Sequence, residues 1–158
     1  MNEPPLASDQ WLIKTKNVFD DIIAGSAPVS WVYQDSLVVA FMDIQPVNPG
    51  HVLVVPKQAV QFLHQLDHET ANRLFLVGRR VAQAIRDSGL QCEGVNFFVA
   101  DGAAAGQEVP HVHLHVFPRY RDDGFGLKFA DRYFQLPPRE ALDAAAEKIR
   151  AALDMASQ

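Results

Sequence analysis

Apolar and polar residues alternate strictly along residues 111–116 of the run His-Val-His-Leu-His-Val-Phe. In an extended chain every second side chain shares a face. Val112, Leu114 and Val116 therefore face a core, and His111, His113 and His115 line the opposite side. Other segments have their own periods. Phe19, Ile22 and Ile23 are spaced for a short helix that ends near Gly25. Trp31–Tyr33 and Leu37–Met42 predict two strands joined at Gln34-Asp35-Ser36, and the turn-rich Pro46–Gly50 leads to a buried strand, His51–Val55, stopped by Pro56. Residues 60–66 suit a short helix, and Asp67 is placed to cap a longer one running to about Asp87 and stopping at Gly89. Its apolar positions are Ala71, Leu74, Phe75, Val81, Ala82 and Ile85, and Gly78 falls on the same face, as close packing would require. A strand at Val95–Val99, a small-residue loop at Asp101–Gly106, the histidine strand and a final helix from about Arg139 to Met155 complete the order. This order predicts an α+β fold, a five-stranded antiparallel sheet with helices, forming a single domain over residues 11–158 behind a loose tail at 1–10.

Composition narrows the function. A formal charge of −5 and a pI near 5.6 argue against nucleic acid as a partner, while leaving a small anionic substrate open. Cys92 is the only cysteine, which excludes an internal disulfide and a cysteine metal cluster and suits a reducing compartment. The first ten residues lack the pattern of a signal peptide, and no apolar run reaches membrane-spanning length. The expected location is the cytoplasm, without a membrane partner.

Three histidines on one strand face call for a chemical explanation. Imidazole titrates near neutral pH and serves as base, acid, nucleophile or metal ligand. Two chemistries fit: a metal site with an open position, or phosphate chemistry with a neutral imidazole as nucleophile. His64 and His68 straddle the helix start and are expected on the surface; Asp122, Asp123 and Gly124 suit a polar turn.

Phe41-Met42-Asp43-Ile44, Asn48-Pro49-Gly50-His51 with Val52–Lys57, and Gly106-Gln107-Glu108-Val109-Pro110-His111 with Val112–His115 together resemble the histidine triad (HIT) family of nucleotide hydrolases and transferases. The likeness runs from about Phe19 to Arg119. It implies a homodimer whose strands continue into one sheet, and attack on the α-phosphate of a bound purine nucleotide. By the resemblance His113 forms a covalent nucleotidyl intermediate that water hydrolyses, and the carbonyl of His111 fixes its tautomer. His115 and His51 flank the phosphate, Gln107 bonds near the scissile bridge, and backbone N–H groups of residues 106–109, including Glu108 and Val109, face the same oxygens. Asp43 takes the ribose hydroxyls; Phe19, Ile22, Phe41 and Ile44 fall where the base slot is built, although all four also suit plain core.

The departures matter too. Where many bacterial relatives carry zinc ligands, this chain has Asn17, Asp20 and Ala59, so no metal or cofactor is expected. Glu108 stands where some branches have Ser or Thr, and Ala100 where the phosphoramidase branch has Asn. The resemblance thus implies metal-independent hydrolysis of nucleotides substituted at the α-phosphate, of the phosphoramidate or dinucleoside polyphosphate type. A nucleotide-binding sensor with incidental hydrolysis is the alternative; a metallohydrolase ranks last.

Overall fold

The structure, a computed structural model, describes residues 16–156; the expected tail at 1–10 and Trp11 lie outside them. The chain divides into two compact units, with the boundary between Asp123 and Gly124.

The first unit carries the sheet. Its elements are α1 (Val18–Ile23), β1 (Trp31–Gln34), β2 (Val38–Met42), β3 (Val52–Pro56), α2 (His68–Asp87), β4 (Gly94–Phe98) and β5 (Leu114–Arg119), with single 3-10 turns at Leu63–Gln65 and Ala103–Ala105. The five strands lie in the order β1-β2-β3-β5-β4, and every neighbouring pair is antiparallel. Residues 60–66, expected as a helix, form only the 3-10 turn.

Alternation along each strand divides the core in two. Val38, Ala40, Val52, Val54, Leu114 and Val116 face α2 and pack on Leu74, Val77, Val81, Ala82 and Ile85. On the other face Val39, Phe41, Leu53 and Val55 pack on Phe19 and Ile22 of α1. Phe41, Leu53, His115 and Phe98 form one cross-strand row through β2, β3, β5 and β4. His115 is therefore fixed by register.

Asp67 caps α2 as expected, accepting from the Thr70 N–H at 2.7 Å. Two of the apolar positions assigned to the core face of α2 lie outside it: Ala71 is exposed, and Phe75 is 62% exposed and meets Phe97 at the sheet edge. Position 75 falls at the margin of the buried stripe, beside Ala82, where its cover is the partly exposed Phe97 of edge strand β4. Gly78 answers to close packing, since a Cβ there would lie 2.5 Å from Leu114 Cδ2.

The histidine strand begins later than alternation predicts. Only Leu114–Arg119 pairs as β5, while His111 lies at a bend and Val112 and His113 stand outside the ladder. Their partner strand β3 ends at Pro56, which has no N–H to continue the pairing. Instead the Val112 N–H donates to the Val60 carbonyl at 2.9 Å, and a ring nitrogen of His111 donates to the Pro56 carbonyl at 2.8 Å. The alternation of faces survives without the ladder.

The second unit holds a 3-10 turn at Asp131–Phe134, where Phe129 stacks on Tyr133 with centroids 3.9 Å apart, and α3 (Arg139–Ala156), the expected final helix. Among the described residues no helix is long and apolar enough to cross a membrane.

Candidate active site

The site begins at the Asn48–His51 turn. The His51 N–H donates to the Asn48 carbonyl at 3.1 Å, and Gly50 at φ +102° closes the turn. Only glycine fits there: besides the left-handed backbone, a Cβ would lie 2.9 Å from Leu90. Buried Asn48 anchors the turn by donating to the Pro118 carbonyl at 2.9 Å and to Asp123 at 2.8 Å. Asp123 is thus not part of a solvated turn. Its carboxylate is almost wholly buried and also accepts from Arg119 at 2.6 Å, an ion pair that desolvation makes dependent on good geometry.

This turn aims His51 at β5. His51 Nε2 lies 2.9 Å from His115 Nδ1, and the His51 ring packs on Phe117. Asp43, just after β2, holds Oδ2 3.5 Å from His51 Nε2 and 3.8 Å from His115 Nδ1, while Oδ1 accepts from the Gln45 N–H. Burial pushes the His51 ring below its ordinary value, reinforced by the charge of His113 and opposed by Asp43. Burial likewise takes His115 down to about 4, helped by His113 and His51 and again opposed by Asp43. Both rings are neutral at pH 7.

His113 is buried, and its Nδ1 lies 2.8 Å from the His111 carbonyl oxygen. A carbonyl only accepts, so Nδ1 carries the proton and Nε2 keeps its lone pair. The rings of His113 and His115 are 4.7 Å apart. Phe19 from α1 sets its edge against His111 and His113 at 5.7 and 5.2 Å. An apolar wall beside the His113 imidazole lowers the local dielectric around it.

The remaining candidate residues separate. Phe19, Ile22 and Phe41 join one cluster with Val109 packed against it, whereas Ile44 is 94% exposed and stands outside. Glu108 is exposed. Gln107 points away from the triad in its bonding: Nε2 donates to the Gln61 carbonyl at 2.8 Å and Oε1 accepts from the Gly102 N–H. The N–H groups of Gly106 and Gln107 close their own loop onto Ala103 and Gly102, so they are not presented to a phosphate. A local 3-10 turn satisfies those donors first. Asp101 ties the same loop to the Leu63 N–H. His64 and His68 lie on the surface, as expected.

Neither candidate metal site fits a cation. At the positions of the family zinc, Asn17 and Asp20 form a capping box at the start of α1: Asn17 Oδ1 accepts from the N–H groups of Phe19 and Asp20, and Asp20 accepts from Asn17. Ala59 offers no side-chain ligand atom, and the side-chain oxygens of Asn17 and Asp20 are engaged at the helix start. Asp43, His51 and His115 bring three ligand atoms within 4.8 Å. A metal-bound imidazole, however, normally donates its other N–H to an acceptor. The other nitrogen of His51 faces a donor, the Val47 N–H, at 3.1 Å.

The family model described as HIT domain matches residues 24–122. Protein hit of Bacillus subtilis is 42% identical over 110 residues, 69% of this chain and 75% of that protein. An asymmetrical bis(5'-nucleosyl)-tetraphosphatase of Schizosaccharomyces pombe is 41% identical over 91 residues, covering 58% of this chain and half of the yeast protein. A crystal structure of a HIT-family member from Bacillus subtilis superposes with a TM-score of 0.74 at 35% identity, over 84% of this chain and 94% of the other. With the domain match spanning more than half its length, and the fold and the histidine run alike in place, this chain belongs to the histidine triad family.

Proposed function

We propose that this protein hydrolyses nucleotides substituted at the α-phosphate, without a metal, through a nucleotidyl-histidine intermediate on His113. The observation that carries this reading is the 2.8 Å bond from His113 Nδ1 to the His111 carbonyl, which leaves a lone pair on Nε2. In the first step that lone pair forms an N–P bond, the bond from phosphorus to the leaving group breaks, and the electron pair departs with the leaving group, which takes a proton from water. In the second, water attacks phosphorus, its proton passes to the hydroxide left by the first step, and the N–P electron pair returns to Nε2. His115 stands beside His113 as a neutral group able to hydrogen-bond phosphoryl oxygens, and His51 backs it. Asp43 takes the ribose hydroxyls, and the Phe19, Ile22, Phe41 cluster backs the purine; exposed Ile44 closes over it.

The yeast relative is described as acting on a dinucleoside tetraphosphate, which favours a polyphosphate over an amine as leaving group. The working form is a homodimer. Edge strand β4 has an open side, and Phe98, Phe97 and Phe75 are 43%, 38% and 62% exposed around it, an apolar edge that a second copy would cover. A single free thiol, Cys92, suits the cytoplasm.

The test is nucleotide release from a diadenosine polyphosphate and from an adenosine phosphoramidate, with and without chelator, beside His113→Ala. Chelator-resistant turnover that disappears in the variant is expected. Tight nucleotide binding with no turnover of either substrate would favour a sensor; loss on chelation would refute the metal-free mechanism.

A further inference from the structure

We propose that the backbone amide of Val47 sets the proton positions of His51 and, through it, of His115, so that His115 meets the substrate phosphate as a neutral Nε2–H donor and does not act as a general acid. The proposal rests on the nucleotidyl-histidine reading and assigns one residue's part in it.

The argument is one of hydrogen-bond polarity. Val47 donates its N–H to His51 Nδ1 at 3.1 Å, so Nδ1 must carry a lone pair. A neutral His51 then holds its proton on Nε2, which faces His115 Nδ1 at 2.9 Å. That nitrogen must accept, and the only proton of a neutral His115 lies on Nε2. Reversing the bond would require a His51 with no proton at all. Adding a proton to His115 Nδ1 sets donor against donor at 2.9 Å; adding one to His51 Nδ1 does the same against Val47. The titratable groups facing the pair are Asp43 on the loop after β2 and His113 ahead of β5. Asp43 Oδ2, at 3.5 Å, is a second, longer acceptor for the same His51 proton and does not disturb its placement.

A neutral imidazole is a good hydrogen-bond donor and a very poor acid. For His115 to protonate a leaving group it would have to become imidazolate or draw a proton from His51, which has no second proton to give. Its role is thereby confined to the charge that develops on phosphoryl oxygens. His51 is a positioning residue, and its turn (Val47 to Gly50) explains why a backbone amide is available there.

Nitrogen-15 NMR of the imidazoles in the full chain, without nucleotide at pH 7.5, reads the tautomers directly. Single Nε2–H tautomers are expected for His51 and His115. His51→Gln, whose amide N–H reaches the same place, should keep His115 in that form, and His51→Ala should leave a mixture. A His115 protonated at Nδ1, or an imidazolium, in the wild-type protein overturns the proposal. The second measurement uses adenosine 5'-phosphoryl esters whose leaving groups differ in pKa. Removing one oxyanion donor costs about 10²–10³-fold in kcat, and His115→Ala should show the same fold-loss for good and poor leaving groups. A loss that grows as the leaving group becomes more basic marks a general acid and overturns the proposal. Absence of turnover in the wild-type protein would instead remove the hydrolase reading, with the tautomer measurement still standing on its own.

Discussion

The His113 ring is held by its own strand: its Nδ1 donates to the carbonyl of His111 two residues earlier, at 2.8 Å. The bend at His111 brings that carbonyl to the ring while both side chains stay beside Phe19. A single short segment therefore supplies the proposed nucleophile and its orientation.

His113→Ala should lower turnover on the order of 10⁴-fold or more, as loss of a nucleophile does in other hydrolases, while nucleotide binding stays within about tenfold. His113→Gln, closer in size to the ring between Phe19 and His115, should be equally inactive and nearer to wild-type stability. Steady-state rates with calorimetric binding check both; retained turnover in either variant would move the nucleophile elsewhere.

Asn48→Ala removes two hydrogen bonds from a buried site, to Pro118 and Asp123, at a cost of about 2–3 kcal/mol. Asn48→Asp should cost more, because it sets a second carboxylate where the amide now lies 2.8 Å from Asp123. Urea midpoints should fall in the order wild type, Ala, Asp. An aspartate variant as stable as wild type would mean that Asp123 is not the buried acceptor described.

What was legible in the sequence was local. The face division of His111–Val116, the Asp67 cap and the tight packing at Gly78 all follow from period or from one residue's chemistry. What was not legible depends on distant partners. Asn48 and Asp123 are 75 positions apart, and Gln107 reaches Gln61 across 46. Pro56 shortens the histidine strand only because β3 happens to be its neighbour. The Val47 amide that orients His51 has no side-chain signature, since any residue but proline carries it.

Gly78→Ala tests the contact between α2 and β5. Helix propensity favours the alanine by about 1 kcal/mol, but its Cβ would stand 2.5 Å from Leu114 and 3.2 Å from Phe97. Overpacking a filled core costs about 1–3 kcal/mol, so a net loss near 1 kcal/mol is expected. Because Leu114 lies between His113 and His115, activity should fall along with stability. Adding Leu114→Val makes room, and the double variant should be more stable than the sum of the single changes. Simple additivity would show that the contact relaxes without strain.

Burial of the His51–His115 pair makes stability depend on pH with a definite sign. Both rings titrate below the 6.5 of a free histidine in the folded protein, His115 near 4, chiefly because burial disfavours the charged form. Above about pH 6.5 both rings are neutral whether folded or not, and the pair contributes no slope. As pH falls from there the unfolded chain takes up protons first, so stability must decline through the window down to about 4. Asp35 also loses stability in acid, but at lower pH. Burial pushes its carboxyl up, and this is outweighed by the Val38 N–H, Arg73, the Leu37 N–H and Tyr33, which hold it well below the usual carboxylate range. Subtracting the urea midpoints of His115→Gln from those of wild type isolates the ring. The difference should be level above pH 7 and fall between pH 6.5 and 4.5; a level difference throughout would mean that His115 remains free to protonate in the folded state.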